Sequence, residues 1–171
     1  MSYAIVYDSR TGNTEALARA VAAALPSEGR LAFGRVDEVD RAAVAQADRV
    51  YAGFWTNRGD CGDELAEVLA SLADKDVFLF GTAGFGADET YFAGVMARVA
   101  VHLPESARIA GTFMRQGRMP ASVRARYAQT AEAKPEQAAR MHQLIENFDE
   151  AASHPDDDDL ARLREAVQAA S

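Results

Sequence analysis

The sequence predicts an α/β fold in which helices cover both faces of a parallel β-sheet. Five short apolar runs have the length and composition of buried strands. A helical segment follows each of the first four runs. The connections between strands and helices are short, and this alternation is the pattern of repeated βαβ units.

The first half of the chain supplies three of the predicted strands. The run YAIVY, from Tyr3 to Tyr7, is continuously apolar, which is typical of a strand buried on both faces. A helix follows from Asn13 to Leu25, because Leu17, Val21 and Leu25 lie on one stripe at helical spacing. The elements predicted next are a weaker strand from Leu31 to Val36, a short helix from Asp40 to Ala47 and a strand from Asp48 to Phe54.

The second half continues the alternation as far as the fifth strand. The clearest strand is VFLF, from Val77 to Phe80, and it follows a helix predicted from Asp63 to Leu72. A helix from Tyr91 to His102 and a strand from Arg108 to Met114 complete the pattern. The remaining segments are a mixed, arginine-rich stretch at 120–134 and helices from Glu136 to Ala152 and from Pro155 to Ala170.

The composition narrows the class of protein. A chain of 171 residues suits one domain, and 49% hydrophobic with 26% charged residues is typical of a globular protein. A formal net charge of −8 would repel nucleic acids and anionic membrane surfaces. No apolar run approaches the roughly 18 residues of a membrane helix, and the amino terminus lacks a signal-peptide pattern. Since Cys61 is the only cysteine, we expect a cytoplasmic protein without membrane insertion, of undetermined oligomeric state.

Topology brings three loops together. In a parallel sheet with right-handed crossovers, every strand-to-helix loop lies at the carboxyl edge. Loops 8–14, 54–60 and 82–90 are therefore expected at one edge. That edge is where open α/β sheets bind their ligands.

The first of these loops, DSRTGNT, carries more polar side chains than a turn needs. Ser9, Thr11, Asn13 and Thr14 surround Gly12 at the start of a helix. The first N–H groups of a helix are unpaired and its dipole is positive there, so the loop predicts an anion site. The motifs GxxxxGK[ST] and GxGxxG are absent, which argues against a triphosphate or dinucleotide loop. The alternative is a simple N-cap made by Thr11 or Asn13, with nothing bound.

The other two loops carry aromatic residues and glycines. Trp55 follows a strand end, where its indole can stack on a flat heterocycle or pack at the rim of the core. The segment 57–59 ends in Gly59 and can form a turn with positive φ. The segment 84–86, Gly-Phe-Gly, lets the backbone approach a ligand that Phe85 can cover. The alternative for this third loop is a flexible, solvent-exposed connection.

The sequence predicts neither a catalytic nor a metal site. The run from Asp156 to Asp159 favours a helix start, because acids there interact with the positive end of the helix dipole. Consecutive helical side chains point in different directions, so these four carboxylates do not converge on an ion. Cys61 and the three histidines have no partners in a pattern that indicates catalysis.

Together the three loops resemble those of the flavodoxin-like family. DSRTGNTEALA is similar to the loop that holds the phosphate of FMN, and GFWTNRGD and GTAGFGADETY occupy the positions of the two loops that sandwich its isoalloxazine ring. The resemblance covers residues 3 to about 114. It implies FMN as cofactor and a flavodoxin-like three-layer sandwich with a five-stranded parallel sheet in the order 2-1-3-4-5.

The segment after the fifth strand resembles a bacterial subgroup of the family with a helical carboxyl-terminal extension. The stretches FMRQGRMPASVRARY and ASHPDDDDL carry this likeness. We therefore expect a single domain over residues 1–171, with a core at 1–114 and a helical extension at 115–171.

The resemblance also implies which residues contact the cofactor. The residues expected to bind the phosphate are Ser9, Arg10, Thr11, Gly12, Asn13 and Thr14. Those expected on the two sides of the ring are Trp55, Thr56, Asn57, Arg58 and Gly59, and then Thr82, Ala83, Gly84, Phe85 and Gly86. Arg10 departs from the family pattern, since it adds charge to a loop of neutral donors. The third loop lacks the family's flanked tyrosine, so either Phe85 or Tyr91 would stack on the ring.

For function, the resemblance implies an electron carrier between redox partner proteins, a reductase and an electron acceptor. One alternative is a flavin-dependent oxidoreductase acting on a quinone or a tetrapyrrole-type substrate, with residues 115–134 shaping its pocket. Another is a module of the same fold without flavin. A basic stretch, Arg115, Arg118, Arg124 and Arg126, lies near the same edge. It would either clamp a partner or an anionic substrate, or be solvated and paired with the acidic surface.

Overall fold

A five-stranded parallel sheet lies at the centre of the fold. The computed structural model describes residues 1–86 and 88–171, so Ala87, in the predicted loop 82–90, lies outside the described residues. The strands are β1 (Tyr3–Tyr7), β2 (Arg30–Arg35), β3 (Arg49–Trp55), β4 (Asp76–Ala83) and β5 (Arg108–Gln116). All neighbouring pairs are parallel and their order is β2-β1-β3-β4-β5, which confirms the predicted sheet.

The helices agree with the predicted ones within two residues at each end, with one exception. They are α1 (Asn13–Ala24), α2 (Arg41–Gln46), α3 (Asp63–Ala70), α4 (Glu89–Ala100), α5 (Ala121–Ala133), α6 (Ala138–Ala151) and α7 (Asp157–Ala169). The exception is α5, which was not predicted because it buries no residue and so has no apolar stripe. None of these helices, in the part of the chain that the structure describes, is long and apolar enough to cross a membrane.

Alternating side chains of the strands enter two cores, one on each face of the sheet. Ile5 of β1 belongs to the core beneath α1 and α7, whereas its neighbour Val6 belongs to the core beneath α2, α3 and α4. Both side chains are fully buried. This alternation confirms the predicted three-layer sandwich.

The last helix packs within the core. Leu163 and Val167 of α7 are fully buried in the same cluster as Leu17 and Val21 of α1. At its start, the side chains and backbone N–H groups of Asp156 and Asp159 form a capping box, as expected for a helix start. We propose that residues 1–171 form one domain, in which α7 belongs to the packed core and α5 and α6 form the outer part of the extension.

Shortening a core side chain of α7 tests this proposal. We expect Leu163→Ala to lower the free energy of unfolding by about 3 kcal/mol, because removing a fully buried leucine side chain leaves a cavity. Urea unfolding followed by far-UV circular dichroism measures the change. The matched control is Arg162→Ala, one residue earlier and solvent-exposed, with an expected change within about 0.5 kcal/mol. Two separate unfolding transitions, or equal effects of the two variants, would contradict one packed domain.

Candidate functional site

A cavity of about 680 Å³ opens at the carboxyl edge of the sheet. Its volume lies within the usual range of sites for small molecules and cofactors. Three strand-to-helix loops and the segment after β5 form its walls. The predicted residues that line it are Arg10, Thr11, Asn13, Trp55, Thr56, Arg58, Gly59, Thr82, Ala83, Gly84 and Phe85. Those that do not line it are Ser9, Gly12, Thr14, Asn57 and Gly86.

The N-cap residue of α1 has no side chain that could cap the helix. This residue is Gly12, with φ of 87°. By contrast, the aspartates that precede α2, α4 and α7 all accept hydrogen bonds from first-turn N–H groups. The alternative of an N-cap made by Thr11 or Asn13 is therefore wrong. Among the described residues, the backbone N–H groups of Asn13 and Thr14 have no side-chain partner, as an anion site requires, whereas that of Glu15 bonds to Ser9.

Several hydroxyl groups of the first loop bond within the protein. The hydroxyls of Thr14 and Thr82 share a hydrogen bond of 3.0 Å, and both residues are buried. The Ser9 hydroxyl accepts a hydrogen bond of 3.2 Å from the backbone N–H of Glu15. Thr14 thus ties the start of α1 to the end of β4, and Ser9 shapes the loop.

Asn13 connects the first loop to the segment after β5. Its side-chain amide donates to the hydroxyl of Thr11 at 3.0 Å and to the carbonyl of Arg118 at 2.8 Å. Asn13 is only 6% exposed, and its Oδ1 has no hydrogen-bond partner among the described residues. A buried acceptor without a donor is costly, so a ligand hydroxyl or N–H at this wall would relieve a deficit.

The second loop positions an indole beside a tight turn. The Trp55 Nε1 donates to the Asp8 carboxylate at 2.9 Å, and the Arg10 guanidinium lies 5.4 Å from the ring centroid. Asn57 and Asp60 exchange backbone hydrogen bonds of 2.8 and 3.0 Å around the two central residues. These two, Arg58 and Gly59, have φ of 52° and 86°, which is a type I′ turn. The predicted turn with positive φ is confirmed.

Helix α4 and the turn that follows it contact this second-loop turn. The Arg98 guanidinium donates to the carbonyl of Gly59 at 3.3 Å, and the His102 ring lies 3.1 Å from the Asp60 carboxylate. Burial, together with the Asp60 carboxylate, raises the pKa of the Cys61 thiol to about 12. Although Asp60, Cys61 and His102 lie close enough to hold a metal ion, a protonated thiol is a poor ligand and a poor nucleophile.

Asn147 of α6 holds the third loop in place, a role that the sequence did not indicate. The Asn147 side chain donates to the carbonyl of Gly84 at 2.9 Å and accepts from the backbone N–H of Gly86 at 3.1 Å. Its Oδ1 also accepts from the Gln116 side chain at 3.0 Å. Phe85 is 51% exposed, and its ring packs edge-on against Tyr91 at 6.1 Å. Both rings line the cavity, so the structure keeps both as stacking candidates.

The last wall comes from the segment after β5 and from α5. Its residues are Gly117, Arg118, Met119, Pro120, Ser122, Val123 and Arg126. The predicted basic stretch divides into two pairs. Arg115 and Arg124 form ion pairs with Asp159 and Asp149 at 3.1 and 2.8 Å. The other two, Arg118 and Arg126, face the cavity instead.

Removing the Asn147 side chain tests how the third loop is held. We expect Asn147→Ala to lower the free energy of unfolding by about 2 kcal/mol, because backbone groups of Gly84 and Gly86 lose their partner. Hydrogen exchange of the Gly86 amide, followed by NMR, should accelerate about tenfold or more. Gln143→Ala, at an exposed position one turn earlier in α6, is the control. If both variants left Gly86 exchange unchanged, Asn147 would not be what holds the loop.

Comparison with known proteins agrees with this geometry. The family model described as "Flavodoxin domain" matches residues 4–168. A flavodoxin-like domain-containing protein, BilS of Clostridium symbiosum (strain WAL-14163), is 36% identical over 177 residues, covering 96% of this chain and 93% of that protein. A protein of the same name from Clostridioides difficile (strain CD3) is 26% identical over 162 residues, covering 94% and 90%.

Solved structures share the fold. The oxidised flavodoxin 2 of Bacillus cereus superimposes with a TM-score of 0.56 at 17% identity, covering 99% of this chain and 97% of that chain. A flavoprotein in complex with FMN from Lactobacillus acidophilus NCFM gives a TM-score of 0.50 at 12% identity, covering 66% and 92%. Because the family model spans nearly the whole sequence, this chain belongs to the flavodoxin domain family.

Proposed function

We propose that this chain binds FMN in the cavity and carries electrons between redox partner proteins, a reductase and an electron acceptor. The observation that carries the proposal is the amino terminus of α1 at the cavity, where the N-cap Gly12 has no side chain, opposite aromatic side chains from two other loops. The first feature suits a phosphate and the second suits a flat ring system. Family membership supports a flavin, and the FMN complex of the L. acidophilus flavoprotein supports FMN in particular.

The phosphate end of the cofactor fits the first loop. Thr11 and Gly12 are exposed, and no atom lies within 4 Å of the position that a Cβ of Gly12 would take. That open space lies beside the first turn of α1, where backbone N–H groups attract an anion. The exposed guanidinium of Arg10 adds a positive charge to this loop.

The ring end of the cofactor fits the other two loops. Trp55 would lie on one side of the ring, with its orientation set by the hydrogen bond to Asp8. Phe85 or Tyr91 would lie on the other side. The lining is mixed in polarity, with Ala83 and Met119 beside Thr56, as expected for a heterocycle with polar edges.

The chain supplies position and charge, and the cofactor supplies the redox chemistry. FMN, when bound, accepts and releases electrons reversibly. Arginines around the cavity place positive charge near the proposed ring position. Positive charge stabilises the negative charge gained on reduction, so we expect this cavity to favour the reduced cofactor more than a neutral one would.

A flavin-dependent oxidoreductase acting on a quinone or a tetrapyrrole-type substrate is a second candidate. One observation favours it, because Ser122, Val123 and Arg126 of α5 line the cavity, where a substrate pocket shaped by residues 115–134 would lie. Turnover of NADPH and a water-soluble quinone by the FMN-loaded protein, without added reductase, would favour the enzyme. Absence of that turnover would favour the carrier.

The cellular setting is part of the proposal. We place the protein in the cytoplasm, where the single free thiol of Cys61 would stay reduced. We expect no binding to nucleic acids, because the formal net charge of −8 opposes it.

Comparing FMN with riboflavin tests the proposed function. We expect the apo-protein to bind FMN at least about tenfold more tightly than riboflavin, because riboflavin lacks the phosphate. Quenching of flavin fluorescence during titration measures both dissociation constants. We expect Arg10→Ala to weaken FMN binding about threefold to tenfold and to leave riboflavin binding nearly unchanged.

The control is Arg19→Ala, since Arg19 lies on α1 but pairs with Glu15. Equal affinities for the two flavins would contradict the phosphate site. Absence of binding by either flavin would support the module without flavin. Unaltered FMN affinity in Arg10→Ala would show that Arg10 only faces solvent.

A further inference from the structure

Arginines without ion-pair partners gather at the cavity. Arg10, Arg58, Arg98, Arg118 and Arg126 all line it, and all are exposed. None of these five forms an ion pair among the described residues. The arginines that do form ion pairs there are Arg19, Arg35, Arg49, Arg108, Arg115, Arg124 and Arg162. No aspartate or glutamate within residues 1–86 and 88–171 lines the cavity. The mouth is therefore positive in a chain whose formal net charge is −8.

FMN alone does not account for this charge. A phosphate monoester carries at most two negative charges near pH 7, and Arg10 is the arginine of the loop proposed to hold it. The other four come from separate elements: Arg58 from the turn after β3, Arg98 from α4, and Arg118 and Arg126 from the last wall. We call these four side chains the arginine rim.

The free positive charge lies at the mouth of the cavity, not deep within it. Two hydroxyls of the lining bond within the protein, since the buried Thr82 hydroxyl shares a hydrogen bond with Thr14 and the Thr56 hydroxyl donates to the Thr82 carbonyl at 2.8 Å. A small carboxylate inside the cavity would find the Thr56 donor engaged. An anionic group that approaches from outside meets the exposed arginine rim first.

An exposed aromatic ring lies within the same mouth. Phe85 lines the cavity and is 51% exposed, and Pro120 is also exposed there. An aromatic residue flanked by arginines is the composition that protein interfaces favour over the rest of the surface. We propose that the arginine rim and Phe85 form a docking surface for an acidic face of a redox partner protein.

This inference rests on the proposed function, because a partner bound at the mouth would lie next to the cofactor through which electrons pass. The net charge of −8 repels an acidic partner over most of the surface. At about 0.1 M salt, charges more than about 10 Å away are largely screened, so the arginine rim dominates close approach. The arginine rim would thus favour a partner with a negatively charged face, and it would also set how that partner is oriented when it docks.

The salt dependence of electron transfer tests the sign of charge at the mouth. The probes are ferricyanide, a small anionic oxidant of the reduced FMN-loaded protein, and an acidic plant-type ferredoxin, which donates one electron per molecule. Two ferredoxins supply the electrons that fully reduce FMN, and solvent supplies the protons. Raising the ionic strength from about 100 to about 500 mM should slow both reactions at least about twofold, because the net charge of −8 is already largely screened at the lower value. Rates that rise with salt would overturn the inference.

Two double variants separate local charge from net charge. Arg118→Gln with Arg126→Gln removes half of the arginine rim. Arg30→Gln with Lys75→Gln removes two charges at the amino edge of the sheet, where β2 and β4 begin, and changes the net charge equally. We expect the first double variant to slow the ferredoxin reaction about tenfold at low salt and the second to change it less than about twofold.

Binding without the cofactor provides a second readout. Calorimetry of oxidised ferredoxin with the apo-protein at low salt should show binding that the rim double variant weakens about tenfold and the control pair leaves nearly unchanged.

Rates are expressed per bound FMN, measured from its visible absorbance. Failure to bind FMN would contradict the proposed function. FMN binding without any effect of the rim double variant on ferredoxin would contradict the docking inference only. A rim effect on ferricyanide but not on ferredoxin would overturn the protein partner in favour of small anions.

Discussion

The site depends on the carbonyl and hydroxyl of Thr82, at the end of β4. Its hydroxyl bonds to Thr14 at the start of α1, and its carbonyl accepts from both the backbone N–H and the hydroxyl of Thr56. One residue of the central sheet therefore fixes the first loop, the second loop and the start of the third. Parallel pairing of β1, β3 and β4 makes this junction available, because it places the three strand ends at one edge.

The segment after β5 completes the site by a different set of contacts. The Asn13 amide donates to the Arg118 carbonyl, the backbone N–H of Gly117 donates to the Ala83 carbonyl, and Asn147 holds the third loop. These contacts make the carboxyl-terminal segment a wall of the cavity, while α7 fills the core beneath the sheet. The same segment gives the mouth two of its arginines, so it shapes the charge of the site as well as its size.

Features that neighbouring residues encode could be predicted from the sequence. The apolar runs predicted the strands, and Gly12 among polar residues predicted a loop at the start of α1, because each depends on local spacing. Asn147 could not be found this way, since it bonds to Gly84, 63 residues away. Helix α5 buries no side chain and so leaves no periodic pattern.

The directions of several side chains also could not be predicted from the sequence. The hydroxyl of Thr14 was expected at the phosphate, yet it is buried against Thr82, because a hydroxyl next to a strand end can serve either purpose. The four-arginine stretch likewise divides by geometry, since Arg115 and Arg124 meet carboxylates while Arg118 and Arg126 face the cavity. Such choices depend on tertiary neighbours that the sequence order does not reveal.

The most direct measurement is a map of backbone amide NMR shifts as FMN is added to the apo-protein. We expect the largest shifts at Asn13 and Thr14, in the turn 57–60, and along the wall at Met119 and Val123. Shifts confined to residues around the second cavity, near Val36 and Asp37, would contradict it. So would shifts that leave the first turn of α1 unchanged.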